Sequence, residues 1–495
     1  MKNQLLLVLA LIPGPTGVLF AQTNQPLSLQ DAISLAEINN PAQRQIENNR
    51  WGASWAVRNS YGAFLPSVNA SGTLSYSGLG AQRFLTSEFS QPSATIGSSY
   101  GLNLSWTLSG TTLMQPATER ARAHATEASI NSARINLKSQ VTQQYLNILQ
   151  ALEEVQLADA QLTRNDESLR LAQARHNVGQ VTLLDVRQAE VLRGQAQVGA
   201  LQERQDVTVE KLRLFQMIGI PAPEDLQQVV LSDTFAVTQP TWELDDLLES
   251  AHLDNADLNS LRSQEDATRW GARSSRSRWF PTIQVNARWS GFTQSFTNGD
   301  FLVDQARASS LANIAACEQD NTIVNVVNQS GAGLATADCT AFAILPADEQ
   351  LILDGNDAFP FRFTTQPFSA SVTVSIPIFT NFNRSLAISQ SSMALDDARE
   401  AVRARELQVR TDVSQAFYNL RTSFETIAIQ DRNRSAAADQ LRLATQRYRL
   451  GSGTFIELLD AQVAAQQAAS DYINATYSFH RSVAVLESAV GRELR

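Results

Sequence analysis

The chain repeats itself, and a chain built from two copies of one design must bury each copy against the other or against further copies. At an offset of 215 residues, Leu29, Asp31, Ala36, Asn40, Trp55, Arg58 and Pro66 meet Leu244, Asp246, Ala251, Asn255, Trp270, Arg273 and Pro281. At an offset of 272, Leu169, Ala172, Arg175, Gly179, Thr182, Ala189 and Gly219 meet Leu441, Ala444, Arg447, Gly451, Thr454, Ala461 and Gly491. The jump of 57 between the offsets places an insertion in the second copy, at 291–366. The expected division of the 495 residues is a first repeat at 22–220, a linker at 221–241 and a second repeat at 242–495.

Proline placement divides each copy further, because proline inside a helix costs about 3 kcal/mol. None occurs from Ala117 to Ile220 or from Ile378 to the end. Apolar residues there follow alternating steps of four and three: Val141, Tyr145, Ile148, Leu152 and Val155, and again Val413, Phe417, Leu420, Phe424 and Ile427. That is the seam of a coiled coil. Gly179 and Gly451 can end a helix in the left-handed region, and Thr182 to Asp185 and Thr454 to Glu457 have capping-box spacing for the next one. Each copy therefore predicts a long helical hairpin, over 117–219 and 381–491.

Four segments alternate apolar and polar residues, at about 66–76, 100–108, 281–290 and 369–378. Period two marks a strand with one apolar face, and the length suits a membrane strand of about 9–11 residues. Tyr76, Tyr100, Trp106 and Trp289 fall on the apolar faces as candidate interface anchors.

The N-terminus reads as a secretory signal at 1–21: Lys2, the apolar run Leu5 to Ile12, the breaker Pro13-Gly14-Pro15 and a small-residue end at Ala21. Beyond it, no stretch approaches the roughly 18 apolar residues of a spanning helix, so any crossing of a membrane is made by strands. A net charge of -10 argues against nucleic acid as a partner. His124, His176, His252 and His480 share no ligand spacing, the two cysteines form no Cys-x-x-Cys pair, and no catalytic or phosphate-loop pattern is present. The reading is of a non-enzyme without cofactor or metal.

Four strands cannot close a barrel, and open edges in lipid leave backbone groups unsatisfied. Several chains must contribute, giving eight strands from two copies or twelve from three. The Ser, Thr and Asn faces look like the lining of a wet lumen, which favours the wider, twelve-stranded trimer.

Signal segment, duplicated halves, two strands and a long hairpin per half, and the paired tips His176–Val186 and Tyr448–Ala461 together resemble the TolC family of outer-membrane efflux proteins. The resemblance implies a mainly α fold with a membrane β part: a homotrimer whose 12-stranded barrel continues into a periplasmic α-helical barrel. It implies a passive exit duct in the outer membrane, embedded in lipid and fed by a periplasmic adaptor and an inner-membrane pump. Small-molecule efflux is the expected task, with type I protein secretion as the alternative and a soluble periplasmic coiled-coil adaptor as a more distant one.

Family channels close at the tips through a tyrosine, an arginine and acidic residues. By resemblance these roles fall on Tyr448, Asp185, Glu457 and Asp460, while the family arginine is replaced by Gly453, leaving Arg187 or Arg449 as substitutes. Gly179, Thr182, Gly451 and Thr454 fall where family members meet the adaptor. Cys317 and Cys339 lie in the insertion, which family topology makes extracellular; a disulfide would be stable there, and two free thiols are the alternative.

Overall fold

The computed structural model describes residues 26–84, 87–91 and 93–494. The expected signal segment at 1–21 lies outside the described residues. In chain order the first repeat contains α1 (Leu29–Asn39), α2 (Pro41–Gly62), β1 (Ser67–Ser77), β2 (Gly80–Phe84), β3 (Ser87–Gln91), β4 (Thr95–Leu108), α3 (Gly110–Asn177) and α4 (Leu183–Ile218). The second contains α5 (Leu244–Asp254), α6 (Ala256–Arg276), β5 (Thr282–Phe296), α7 (Asp300–Asn328), α8 (Pro346–Asn356), β6 (Thr364–Thr365), β7 (Ser369–Ser375), α9 (Asn383–Arg449) and α10 (Phe455–Val490). Two compact units result, one of helices and one built on the sheet.

The helical unit takes residues up to Val57, Ala117–Ala272 and Ser389 onward. Its two copies use one junction twice. Asn40 ends α1 and starts α2: its Oδ1 accepts from Gln43 N at 3.0 Å, and its Nδ2 donates to the Met217 carbonyl at 2.7 Å. Asn255 does the same, accepting from Leu258 N at 2.9 Å and donating to Ala489 O at 2.8 Å. Gly219 and Gly491, at φ 86° and 90°, end α4 and α10 in the left-handed region. A Cβ on either would run into the carbonyl of Asn39 or Asp254, so only glycine fits.

The predicted seams are the cores. Val141, Tyr145 and Ile148 of α3 are buried with Leu214 and Ile218 of α4 and Ala32, Ile33 and Ala36 of α1. Val413, Leu420 and Ile427 of α9 are buried with Phe479, Val483, Leu486 and Val490 of α10. The copies differ in what they bury. Tyr145 donates its hydroxyl to Leu27 O at 2.8 Å, and burial pushes its pKa up to about 12; the repeat puts Phe417 in its place. Lys211 is buried and donates to Leu226 O at 2.9 Å and Val229 O at 2.8 Å, holding the linker on α4; the repeat puts Val483 there. Loss of solvent lowers the Lys211 pKa. The linker is extended apart from a 3-10 turn at Leu226–Gln228, and Leu27 bridges to Leu231 in parallel.

The first long arm begins at Gly110 rather than at Ala117, with Pro116 inside it. Proline removes one donor, and so close to the helix start the helix continues through it.

The sheet unit takes Arg58–Pro116 and Arg273–Ile388. β1, β4 and β5 pair antiparallel in that order, and β6 and β7 both pair with β5, as two pieces of a fourth strand. The register decides the chemistry of the faces, because directly opposed residues share a face. Val68, Leu104, Ala287 and Ala370 form one row; Leu108, Ile283 and Val374 form another; Trp106, Val285 and Val372 a third. Ser67, Ser105, Asn286 and Ser371 line up on the opposite face, as do Asn69, Asn103, Arg288 and Ser369. The apolar rows run from Leu108 to Tyr100, about 27 Å along the strand, comparable to the roughly 25 Å apolar band of membrane barrels. Tyr100 lies over Gly291, where a Cβ would strike its ring, and stands edge-on to Trp289 at 6.3 Å and Phe363 at 4.9 Å.

The strands differ from their expected bounds mainly at one end: β4 starts at Thr95 and β5 runs to Phe296, so the insertion begins after 296. It contains α7 and α8, and Cys317 and Cys339 are joined by a disulfide with Cα atoms 5.6 Å apart. The β2–β3 hairpin is an addition that the alternation did not signal. No helix among the described residues is long and apolar enough to cross a membrane.

Candidate gate at the hairpin tips

The tips are the turns between α3 and α4 and between α9 and α10, and both are closed by the same backbone device. Gly179 (φ 75°) follows α3, and Gln180 N donates to Arg175 O at 2.9 Å; Gly451 (φ 79°) follows α9, and Ser452 N donates to Arg447 O at 3.0 Å. Each bond spans five residues back, a Schellman closure.

The helix starts that follow are not the same. Asp185 Oδ2 accepts from Thr182 N and Thr182 Oγ1, both at 2.9 Å, and Thr182 Oγ1 accepts from Asp185 N at 3.3 Å, completing the box. In the second tip Thr454 Oγ1 accepts from Glu457 N at 3.2 Å, but the Glu457 carboxylate turns to Arg447 at 3.4 Å instead of to the Thr454 N–H. The expected capping box at Thr454 is therefore half formed, because an arginine competes for its acid. Gly453 is pressed against Arg447, 3.0 Å from its Cβ to a Cβ placed on the glycine. A side chain here would press on Arg447, which would have to give by a few tenths of an ångström.

Tyr448 is 1% exposed, packed with Ala172, Val186, Ala189, Phe455 and Leu458. The Arg175 guanidinium lies 4.5 Å from its ring centre, and Arg175 Nη1 donates to the Tyr448 carbonyl at 2.8 Å. The hydroxyl has no hydrogen-bond partner among the described residues. Burial raises its pKa, the positive charge of Arg175 works against that, and Asp185 adds to it. Asp185, Tyr448 and Arg175 are thus brought together within one chain. Arg187 is held by Glu190 of its own helix at 2.7 Å. Asp460 and Arg449 are exposed and have no ion pair among the described residues. Glu457 and Asp460, three apart on α10, share one exposed side of the helix.

Arg175 and Arg447 belong to the site although neither the spacing nor the resemblance points to them. The signal was available: the repeat places them opposite each other, and Arg447 directly precedes Tyr448. Equally, Val178 and Leu450, and Leu184 and Ile456, are repeat equivalents and strongly exposed apolar residues at or beside the turns. Among the described residues no group of His, Cys, Asp and Glu could hold a metal ion.

Residues 32–220 and 353–492 match the outer membrane efflux protein family. The chain belongs to that family. The protein is a transport component of the outer membrane that extends into the periplasm, and it is not an enzyme. It is 23% identical over 373 residues to the outer membrane efflux protein BepC of Brucella suis, covering 72% of this chain and 67% of that one. It is 20% identical over 467 residues to the outer membrane protein TolC of Vibrio cholerae, covering 94% and 90%. In fold it is similar to the CmeC outer membrane channel of Campylobacter jejuni, with a TM-score of 0.69 at 14% identity over 94% of this chain and 85% of that one.

Proposed function

We propose that three copies of the chain form a passive exit duct for small molecules, coupled through the hairpin tips to a periplasmic adaptor and an inner-membrane pump that supplies the work. The observation that carries the reading is the sheet: one apolar face, one polar face, and two edges, at β1 and β7, that lack partners within the described residues. Three such sheets closed edge to edge give twelve strands, with the apolar rows toward lipid and the Ser, Asn and Gln rows toward water. The match to the outer membrane efflux protein family, and to a relative named as an efflux protein, supports efflux as the task.

In this reading Glu457 and Asp460 each occur three times around one axis, and such carboxylate rings favour cations. Asp460, without an ion pair among the described residues, is the pore-facing member; Asp185 and Arg187 support the first tip. Tyr448 serves the gate from inside the chain, clamping α3 to α9 through Arg175. Gly179, Thr182, Gly451 and Thr454 shape the turns, and the exposed Val178, Leu450, Leu184 and Ile456 offer the adaptor its apolar contacts.

The test is conductance of the detergent-extracted protein in a planar bilayer, compared with an E457A/D460A variant. Cation-selective currents whose selectivity drops in the variant are expected. Currents identical in both proteins would remove the acidic ring from the constriction, and no current from either would sink the duct. Cells lacking the protein should retain a fluorescent dye; retention of a secreted polypeptide alone would transfer the reading to protein export.

A further inference from the structure

The polar face of the sheet is nearly uniform in chemistry, and β5 alone breaks it. On β1, β4 and β7 every residue of that face is Ser, Thr, Asn or Gly. On β5 the same face carries Arg288, Phe292 and Phe296 among Gln, Asn and Ser. Arg288 is the only charged residue in β1, β4, β5, β6 and β7. It is exposed and has no ion pair among the described residues. Its row holds Asn69, Asn103 and Ser369, so nothing beside it on the sheet cancels the charge.

The register also gives the depth. Asn103, directly opposite Arg288, lies between Tyr100 and Leu108, the ends of the apolar rows, so Arg288 stands near the middle of the span. An arginine turned to lipid at that depth is strongly disfavoured, which assigns this face to water independently of its Ser and Asn content. Phe292 follows on the same face, four residues or about 14 Å further along the strand. The residues opposite it, Ser99 and Thr364, are small and polar, and 42% of Phe292 is exposed. An aromatic ring is thus left uncovered on a wet surface, one tier from an arginine whose charge is unmatched.

We infer that three copies of Arg288, with Phe292 on the next tier, form a transient binding belt in the barrel lumen for organic anions that have a flat apolar body, such as aromatic carboxylates and sulfonates. The inference rests on the trimeric reading above and deepens it by naming a class of cargo. Twelve strands about 4.8 Å apart and tilted about 40° make a ring roughly 24 Å across, so no point at the level of Arg288 is further than about 12 Å from one of the three. That is close to the Debye length of about 10 Å at 0.1 M salt, so a passing anion feels at least one guanidinium. The planar guanidinium matches a carboxylate or sulfonate, and the phenyl ring offers a face for the apolar body. Water on the open side keeps the hold weak, as a duct requires of any site that its cargo must leave again. The acidic ring proposed at Glu457 and Asp460 favours cations, so the two rings would act on opposite charges.

The experiment records currents of the full chain in a planar bilayer while naphthalenetrisulfonate is added to both chambers. Wild-type currents should be interrupted, with half-block at a concentration about tenfold lower than in Arg288→Gln and severalfold lower than in Phe292→Ala. Sulfate, which has no ring, should lose its weaker block in Arg288→Gln and keep it in Phe292→Ala. Arg288→Lys, which keeps the charge, should keep most of the block by either anion. Raising the salt from about 0.1 M to about 1 M shortens the Debye length to about 3 Å and should weaken the block in the wild type. Placement is read separately: Arg288→Cys should react with a membrane-impermeant charged thiosulfonate and change the current in up to three steps, while Ala287→Cys, on the apolar face, should stay inert. A wild type that passes no current would overturn the duct reading itself. A conducting wild type blocked no better than Arg288→Gln, or a reactive Ala287→Cys beside an inert Arg288→Cys, would overturn the belt alone.

Discussion

The two hairpin tips have nearly the same backbone and divide their side-chain duties differently. His176 and Tyr448 are repeat equivalents, yet His176 is exposed with Nδ1 3.1 Å from Val181 O, while Tyr448 is sealed inside the tip core. Arg175 and Arg447 are equivalents too: the first reaches across to the Tyr448 ring and carbonyl, the second stays in its own turn with Glu457. The first tip is therefore closed locally by its box, and the second is held by a cross-helix clamp and an ion pair. Duplication supplied a stable turn twice, and divergence made one turn the part that couples the helices.

The sharpest break of this comparison is Tyr448→Ala, which empties a buried aromatic site and should cost about 3–5 kcal/mol, seen as loss of amide protection across both tips. His176→Ala should leave protection unchanged. Tyr448→Phe keeps the ring and removes a hydroxyl that has no hydrogen-bond partner among the described residues, so stability should hold or rise.

The next effect contrasts the two cores. Tyr145 has a folded pKa of about 12 against an ordinary 10, so its contribution is present below pH 10 and is lost as pH rises toward 12. Thermal unfolding should weaken over that window by roughly 2 kcal/mol, and Tyr145→Phe, which copies Phe417, should abolish that part of the pH dependence.

Gly179→Ala and Gly451→Ala should each cost about 1–2 kcal/mol, since both glycines have positive φ. Thr182→Ala should cost about 1 kcal/mol and Thr454→Ala less, because only the first removes a complete box. The smallest change is Glu457→Gln, below about 0.5 kcal/mol for an exposed pair. Denaturant midpoints would order all five, and equal costs at Thr182 and Thr454 would erase the distinction between the tips.

Much of this was legible in the sequence because it is periodic. The 4-3 seams form cores from Val141 to Leu152 and from Val413 to Ile427, and the alternating segments form strands whose register stacks apolar on apolar. The β2–β3 hairpin and α7 have no period to announce them: Gly80 to Gln91 does not alternate, and α7 is packed by α8 and a disulfide rather than by a seam. At the tips the spacing located Thr182 and Asp185 correctly but could not show which acid an arginine would claim. Burial of Tyr448 depends on four helices meeting, and no single helix reports that.

The open edges of the sheet carry a consequence for how the protein is made. A lone sheet whose β1 and β7 edges have no partner strand among the described residues cannot wait in a bilayer, because its edge amides and carbonyls would lack partners there. On the trimeric reading, folding into the membrane and meeting two other copies must then be one event. Its rate would rise steeply with the supply of newly exported chains, so halving expression should reduce the number of finished pores by much more than half.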